Sequence, residues 1–369
     1  MERLTLIFAL GLFTPVYIMP LFPIALTVLI LKDGRLRRHL FLSPVMKPLF
    51  IMFPLLLIVP VAYQNYLGEA ASFAMMIILF LSVFFCMRIS RRLHEAMLDV
   101  LCIGSVFAFL VAVVERLINR SNNEYRVSSV FVNPNYYGAV IVMIALVCVY
   151  KVAANRRPRR WYVLIGILNL AGLYLTECRS AWIPIFVGTF FILLWNKQYK
   201  LFIVAFVSFV LGLVALWLFM FYNFPEFFPR LESIYSDGLL RMDIWKVWWK
   251  GVQLSPILGE GPFSYIHLYK RLAAHFDYHS HNMFFEILLC YGVVGTAALG
   301  SYFVKIVYMA VKNKDVWGRD TLSLMLAVIV AVCIHGLTDY TIFYPQTALI
   351  FLLIIGGRRT VSEIKIIEN

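Results

Sequence analysis

What most constrains this chain is the recurrence of apolar runs about as long as a bilayer is thick, each set off from the next by a short polar segment. A helix needs about 20 apolar residues to cross roughly 30 Å of hydrocarbon. On that rule spans are predicted at 41–63, 71–88, 97–116, 135–152, 161–177, 180–195, 201–222, 282–304, 321–337 and 345–357. The first run, Leu4–Leu31, is too long for the core of a signal peptide and reads as retained. Because it contains Pro15, Pro20 and Pro23, it is either one kinked span or a pair of short helices. The expectation is an all-α integral membrane protein, a single polytopic domain over 1–369 built as a bundle of about 11–12 transmembrane helices.

Composition agrees. With 62% hydrophobic and 14% charged residues, against roughly 25% charged in ordinary soluble domains, a water-soluble globule is excluded. The net charge of +13 would suit nucleic acid, but the basic residues sit in short clusters between apolar runs, where topology and anionic headgroups place them. No nucleic-acid partner is expected. These clusters recur at every second loop, from Lys32–Arg38 through Arg88–Arg92, Lys151–Arg160 and Lys197–Lys200 to Lys312–Arg319 and Arg358–Arg359. Since Lys and Arg are retained on the cytoplasmic side, the intervening loops face outward. The largest outer loop runs over 223–280 and is predicted to carry amphipathic helices. The six cysteines form no CxxC pair, so neither a disulfide framework nor a zinc site is indicated.

The polar residues that chemistry could use fall on that outer side. Arg179, in LTECRSAWIPIF, interrupts two apolar runs, where a guanidinium either snorkels beside Glu177 or faces an anionic ligand. Its tight turn favours planar, bidentate phosphate binding. Arg241, in GLLRMDIWKVWWKG, shares a helical face with Trp245, Trp248 and Trp249. That face reads as a headgroup anchor for the tryptophans, which leaves the arginine unexplained. Glu260 sits at the tip of the following turn, SPILGEGPFSY. Next come His279 and His281, the second of which opens an apolar run with Asn282 and Glu286 one turn apart. His281 is the candidate proton acceptor, imidazole being suited to proton transfer near neutral pH. His267, His275 and His279 taken singly read as inert surface histidines, and His39 and His94 fall on the cytoplasmic side. His335 and Asp339, one turn apart near an outer span end, are either a structural pair or support the site from behind.

No HExxH is present and no third ligand lies at helical spacing from the histidines, so no metal is expected. Nor is there a GxSxG elbow. A channel or transporter would place charge along mid-span positions, which here are almost free of ionisable residues. The clustering at one outer mouth suits an enzyme acting on a lipid-carried substrate better, with a lipid-linked glycan transporter as the reading from another class.

The segment HNMFFEILLCYGVVG, with His281, Asn282, nine residues, then Gly292 and Gly295, resembles the His-(Asn/Ser/Gln)-x9-Gly-x-x-Gly signature of the O-antigen ligase and polymerase superfamily of bacterial membrane glycosyltransferases. NPNYYGAV from Asn133, LTECRSAW around Arg179, RMDIWKVW with SPILGEGPFSY, and HGLTDYTIFYPQ are similar to family segments in the family order. Cys178 departs from the commoner Ser before the arginine. The resemblance implies a helical bundle with a large outer loop, and transfer of a glycan from undecaprenyl pyrophosphate to a hydroxyl of a glycolipid or glycan acceptor. It places that transfer at the outer face of the bacterial cytoplasmic membrane, without metal or other cofactor. It further implies His281 as base and Arg179 and Arg241 as pyrophosphate ligands; beside them Asn282, Glu286, His279, Glu260 and Asp339 are the supporting residues expected from their places in the sequence. A polymerase that joins lipid-linked repeat units is the alternative within the family.

Overall fold

The computed structural model describes residues 2–122, 125–155, 158–221, 234–272, 274, 276–312, 314 and 318–356. Arg156, His275, Arg358, Arg359 and the first part of the predicted outer loop lie outside the described residues. The described chain forms α1 (Glu2–Gly11), α2 (Leu21–Lys32), α3 (Gly34–Phe41), α4 (Leu49–Ala62), α5 (Tyr66–Arg88), α6 (Arg91–Ile118), α7 (Pro134–Ala153) and α8 (Arg159–Thr176). It continues with α9 (Trp182–Trp195), α10 (Tyr199–Phe221), α11 (Ile234–Leu254), α12 (Tyr265–Arg271), α13 (Met283–Lys312), α14 (Arg319–Gly336) and α15 (Pro345–Ile355). No strand occurs among the described residues. Five helices, α5, α6, α7, α13 and α14, are long and apolar enough to cross a bilayer, and other apolar runs form shorter helices. Proline accounts for part of the shortening. The run Leu4–Leu31 is a pair, α1 and α2, separated by a turn containing Pro15 and Pro20. Large apolar side chains such as Ile58, Ile103, Val204 and Val304 stay exposed, which is tolerable when the solvent is lipid.

The chain divides into two compact units. One comprises Leu101–Leu240 and Arg319–His335. Within it, α7 starts where the sequence tells it to: the Asn133 side chain accepts from the Asn135 N–H at 2.8 Å, and Pro134 occupies the first turn. α7 packs against α8 and α9 through close approaches, Gly172 facing Tyr137 and Gly188 facing Leu146 with no room for a Cβ.

The other unit comprises Met1–Val100, Arg241–Gly318 and Gly336–Asn369. Here Ile244, Trp248 and Val252 of α11, four residues apart, form a buried stripe with Tyr265 and Leu268 of α12 and Leu289 of α13. Trp248 stacks on Phe285 at 4.0 Å and donates to the Phe285 carbonyl at 2.6 Å. Trp245 packs edge-on to the same ring and donates to the Ser280 carbonyl at 3.0 Å. The expected headgroup role therefore fails for two of the three tryptophans: they are core, and Trp249 alone is exposed.

The strongest feature of this unit is a break in α13. Gly292 has φ 59° and ψ −168°, a conformation open in practice only to glycine. The break frees carbonyls before it and N–H groups after it, and the loop following α11 satisfies both. Glu260 N–H donates to Leu289 O at 3.3 Å and Gly261 N–H to Cys290 O at 2.9 Å, while Val293 N–H reaches Pro256 O at 2.9 Å and Val294 N–H reaches Ile257 O at 3.1 Å. Backbone left unpaired at membrane depth would cost several kcal/mol per group. The fit is tight on both sides, since a Cβ on Gly292 would stand 2.3 Å from Ile257 O and one on Gly259 would stand 2.4 Å from the Cys290 carbonyl carbon. Residues from the N-terminal helices hold the loop from outside. Tyr63 bonds Ser255 at 2.9 Å, and Asn65 donates to Pro262 O at 2.7 Å and contacts His267 at 3.2 Å.

Candidate active site

His281 lies in the segment that leads into α13, and every contact around it sets its position. Its backbone is left-handed, φ 51°, a strained conformation for a non-glycine residue. The neighbours hold that conformation. The Ser280 carbonyl is taken by Trp245, and the Ser280 N–H donates to the buried Glu286 carboxylate at 2.7 Å. Asn282 caps α13 by accepting from the Phe284 and Phe285 N–H groups, and its amide donates to Leu337 O at 3.1 Å. Asn282 and Glu286 thus fix the backbone on either side of the histidine rather than its ring.

The ring itself is held by two carboxylates. Nε2 lies 2.9 Å from Asp277 Oδ2, and Nδ1 lies 3.5 Å from Asp339 Oδ1. Burial by itself would push the imidazole pKa down, but the bonds to Asp277 and Asp339 outweigh it and raise the value to about 9. At neutral pH the group is therefore an imidazolium. Asp277 responds in the opposite sense: burial works against its charge, yet the bond from His281 holds its carboxyl below the usual range. His279 stands edge-on to the His281 ring, its centroid 4.5 Å away, and accepts from the His281 N–H at 3.3 Å. Burial pushes its pKa below the ordinary value, Asp339 opposing, so it stays neutral. Asp277, His279 and His281 each bring a donor atom within 4.8 Å of the other two, which makes this the place where a cation, a proton included, would be held.

The remaining predicted residues divide. Arg241 is half-buried and has no hydrogen-bond or ion-pair partner among the described residues. It lies one turn ahead of Trp245, whose indole holds Ser280, so it belongs to the helix that positions His281. Glu260 is not at this cluster: it is buried in the loop that fills the α13 break, accepting from Ser255 at 3.0 Å and pairing with Arg271 at 3.6 Å. In the other unit Arg179 opens a single 3-10 turn, Arg179–Ala181, after Glu177 in a left-handed conformation, and pairs with Asp237 at 2.6 Å. Beneath that turn the buried His335 contacts Ser180 at 3.3 Å and Cys178 at 3.8 Å. Sequence reading missed Asp277 and Asp237. Asp237 was legible as a residue four before Arg241 on one helix, whereas Asp277 precedes His281 by four in a segment that is not helical.

Residues 163–300 match the family model described as O-antigen ligase. That span includes Arg179, Arg241 and His281 and both glycines of the α13 signature, and leaves out Asn133 and Asp339. No curated protein matches the chain. With its apolar helices and this matched stretch, the chain is a multi-pass membrane protein whose residues 163–300 are similar to the O-antigen ligase family.

Proposed function

We propose that the protein transfers a glycan from undecaprenyl pyrophosphate to a hydroxyl of a glycolipid or glycan acceptor, at the outer face of the bacterial cytoplasmic membrane, without a metal and with inversion at the anomeric carbon. His281 takes the proton of the attacking hydroxyl. Arg179 and Arg241 hold the pyrophosphate, whose negative charge grows as the anomeric C–O bond breaks, so two guanidinium groups stabilise the transition state more than the ground state. The observation that carries this reading is the imidazole set between Asp277 and Asp339 at the entrance to a broken helix, with Arg241, which has no partner among the described residues, on the helix that fixes it. Two flanking carboxylates make His281 a stronger base once it is deprotonated, and they stabilise the imidazolium formed on accepting the proton.

The test is purified protein in lipid, given lipid-linked glycan and acceptor with no other component. Conversion to product separates an enzyme from a transporter. General-base loss removes about 10²–10⁴ in rate, so His281→Ala is expected to abolish transfer while inserting normally; near-normal product from that variant refutes the base assignment. Arg241→Lys is expected to be poor too, because an ammonium does not reproduce a bidentate fork. In a deletion strain, single repeats left on the acceptor indicate a polymerase and an unglycosylated acceptor indicates a ligase.

A further inference from the structure

We infer that Asp277 occupies the seat of the acceptor hydroxyl and selects a bound acceptor over water. This rests on His281 being the base, as proposed above. In the structure neither ring nitrogen is open: Nε2 is bonded to Asp277 at 2.9 Å, and Nδ1 is buried without a hydrogen bond, 3.5 Å from the Asp339 carboxylate. For the ring to accept a proton from a hydroxyl, one carboxylate has to leave. Asp339 cannot do so cheaply. Its side chain is 3% exposed, and its Oδ1 also accepts the Tyr340 N–H at 2.8 Å. Asp277 is 19% exposed, and among the described residues its Oδ1 accepts only the adjacent Tyr278 N–H and its Oδ2 is tethered by His281 alone. A rotation of this one side chain opens Nε2 and leaves Nδ1 buried beside the Asp339 carboxylate.

The selection follows from who can drive that rotation. Breaking a half-buried charge-assisted pair is unfavourable, and an acceptor that makes contacts elsewhere on the protein can offset it with binding energy remote from the reacting atom. A water molecule has no such contacts. In the productive event the ring has first lost its Nε2 proton to solvent, and the acceptor oxygen then displaces Asp277 and forms a bond to the anomeric carbon. The bond from that carbon to the pyrophosphate oxygen breaks with its electron pair leaving on pyrophosphate, and the acceptor proton goes to Nε2. Without acceptor, Asp277 stays on Nε2 and water in the site meets an imidazolium rather than a base. The ionisable groups facing the ring are Asp277, Asp339 and His279, with Glu286 behind Ser280.

The experiment compares wild type with Asp277→Asn and Asp277→Ser, using lipid-linked glycan accumulated by a strain deleted for this gene. Release of free glycan without acceptor is measured beside transfer with acceptor. The expected result is at least about tenfold more hydrolysis relative to transfer in both variants, the size of effect that a charge-assisted hydrogen bond supports. If transfer and hydrolysis fall together, or their ratio is unchanged, Asp277 only orients the ring and the inference is overturned. A second readout needs no turnover: carbethoxylation of the His281 peptide, followed by mass spectrometry, is expected to be at least about tenfold faster in the variants than in wild type. Faster labelling in a protein that transfers no glycan would leave Asp277 as the cover of Nε2 and refute the glycosyl-transfer reading instead. Unchanged labelling sinks the inference alone.

Discussion

Replacing Gly292 by alanine tests the broken helix on which the site is built. At φ 59° and ψ −168° an alanine is strained by about 1–3 kcal/mol. Its Cβ would stand 2.3 Å from Ile257 O and 2.4 Å from the Ile257 carbonyl carbon, backbone atoms that cannot rotate aside. Relief requires the loop to withdraw, which breaks the bonds of Glu260, Gly261, Val293 and Val294, about 1 kcal/mol net for each. The sum is about 5–7 kcal/mol, set against roughly 5–15 kcal/mol for the stability of a whole domain. Thermal unfolding of the detergent-solubilised protein should therefore begin about 10 °C or more lower. Hydrogen exchange at 257–261 should also lose its protection. Gly300→Ala is the matched control, since it lies in the same helix with nothing within 4 Å of the added methyl, and it should be neutral or stabilising by up to ~1 kcal/mol. If Gly292→Ala melts within about 2 °C of wild type with the loop still protected, the interlock does not carry the fold in the way argued.

Other consequences follow from the same contacts. Because the His281 pKa is raised from 6.5 to about 9, the basic form is the minor one at neutral pH. Transfer at saturating donor should rise about tenfold per pH unit from 7 and level off near 9; a flat profile across that range would show that His281 deprotonation does not limit the rate. The sign for stability is opposite. The ion pairs of His281 contribute fully below pH 6.5 and are lost as pH rises through about 9, so denaturation midpoints should fall over that window, and fall less in His281→Gln. Trp248→Ala removes a stacked, hydrogen-bonded core residue and should cost about 3–5 kcal/mol, whereas Trp249→Ala, half exposed, should change the melting temperature little. Asn282→Ala should cost about 1–2 kcal/mol as a lost helix cap, visible as fraying of the first turn of α13 in hydrogen exchange.

Much of this was legible in the sequence, and the reasons differ by level. The helices were legible because runs such as Tyr66–Arg88 and Pro134–Ala153 announce themselves by length and apolarity. His281 and Arg241 were legible as polar residues that cost something where they stand. The tryptophans misled because an exposed amphipathic face and a buried one share the same period. Only the partner distinguishes them, and Phe285, 37 residues after Trp248, is not a local signal. Gly292 and the turn around Gly259 were each visible, but as separate motifs. That the carbonyls freed by one are bonded by the N–H groups of the other is a pairing between distant backbones, with no side-chain pattern to encode it.

The same pairing bears on how far the matched stretch can stand alone. Residues 163–300 contain both α13 and the loop that fills its break, yet the loop is also held by Pro60, Tyr63 and Asn65, none of which resembles a family segment. Gly261 lies against the Pro60 ring, and the Asn65 side chain bonds Pro262 while capping α5 through the Gly68 N–H. The loop sets where α13 breaks, the break sets where its first half begins, and that beginning carries Asn282 and places His281. On the other side Asp339 and the Leu337 carbonyl, both beyond residue 300, hold the ring and the cap. The candidate base is thus fixed by three separate stretches of chain. The N-terminal helices, whose sequence reads only as spans, are part of what positions it.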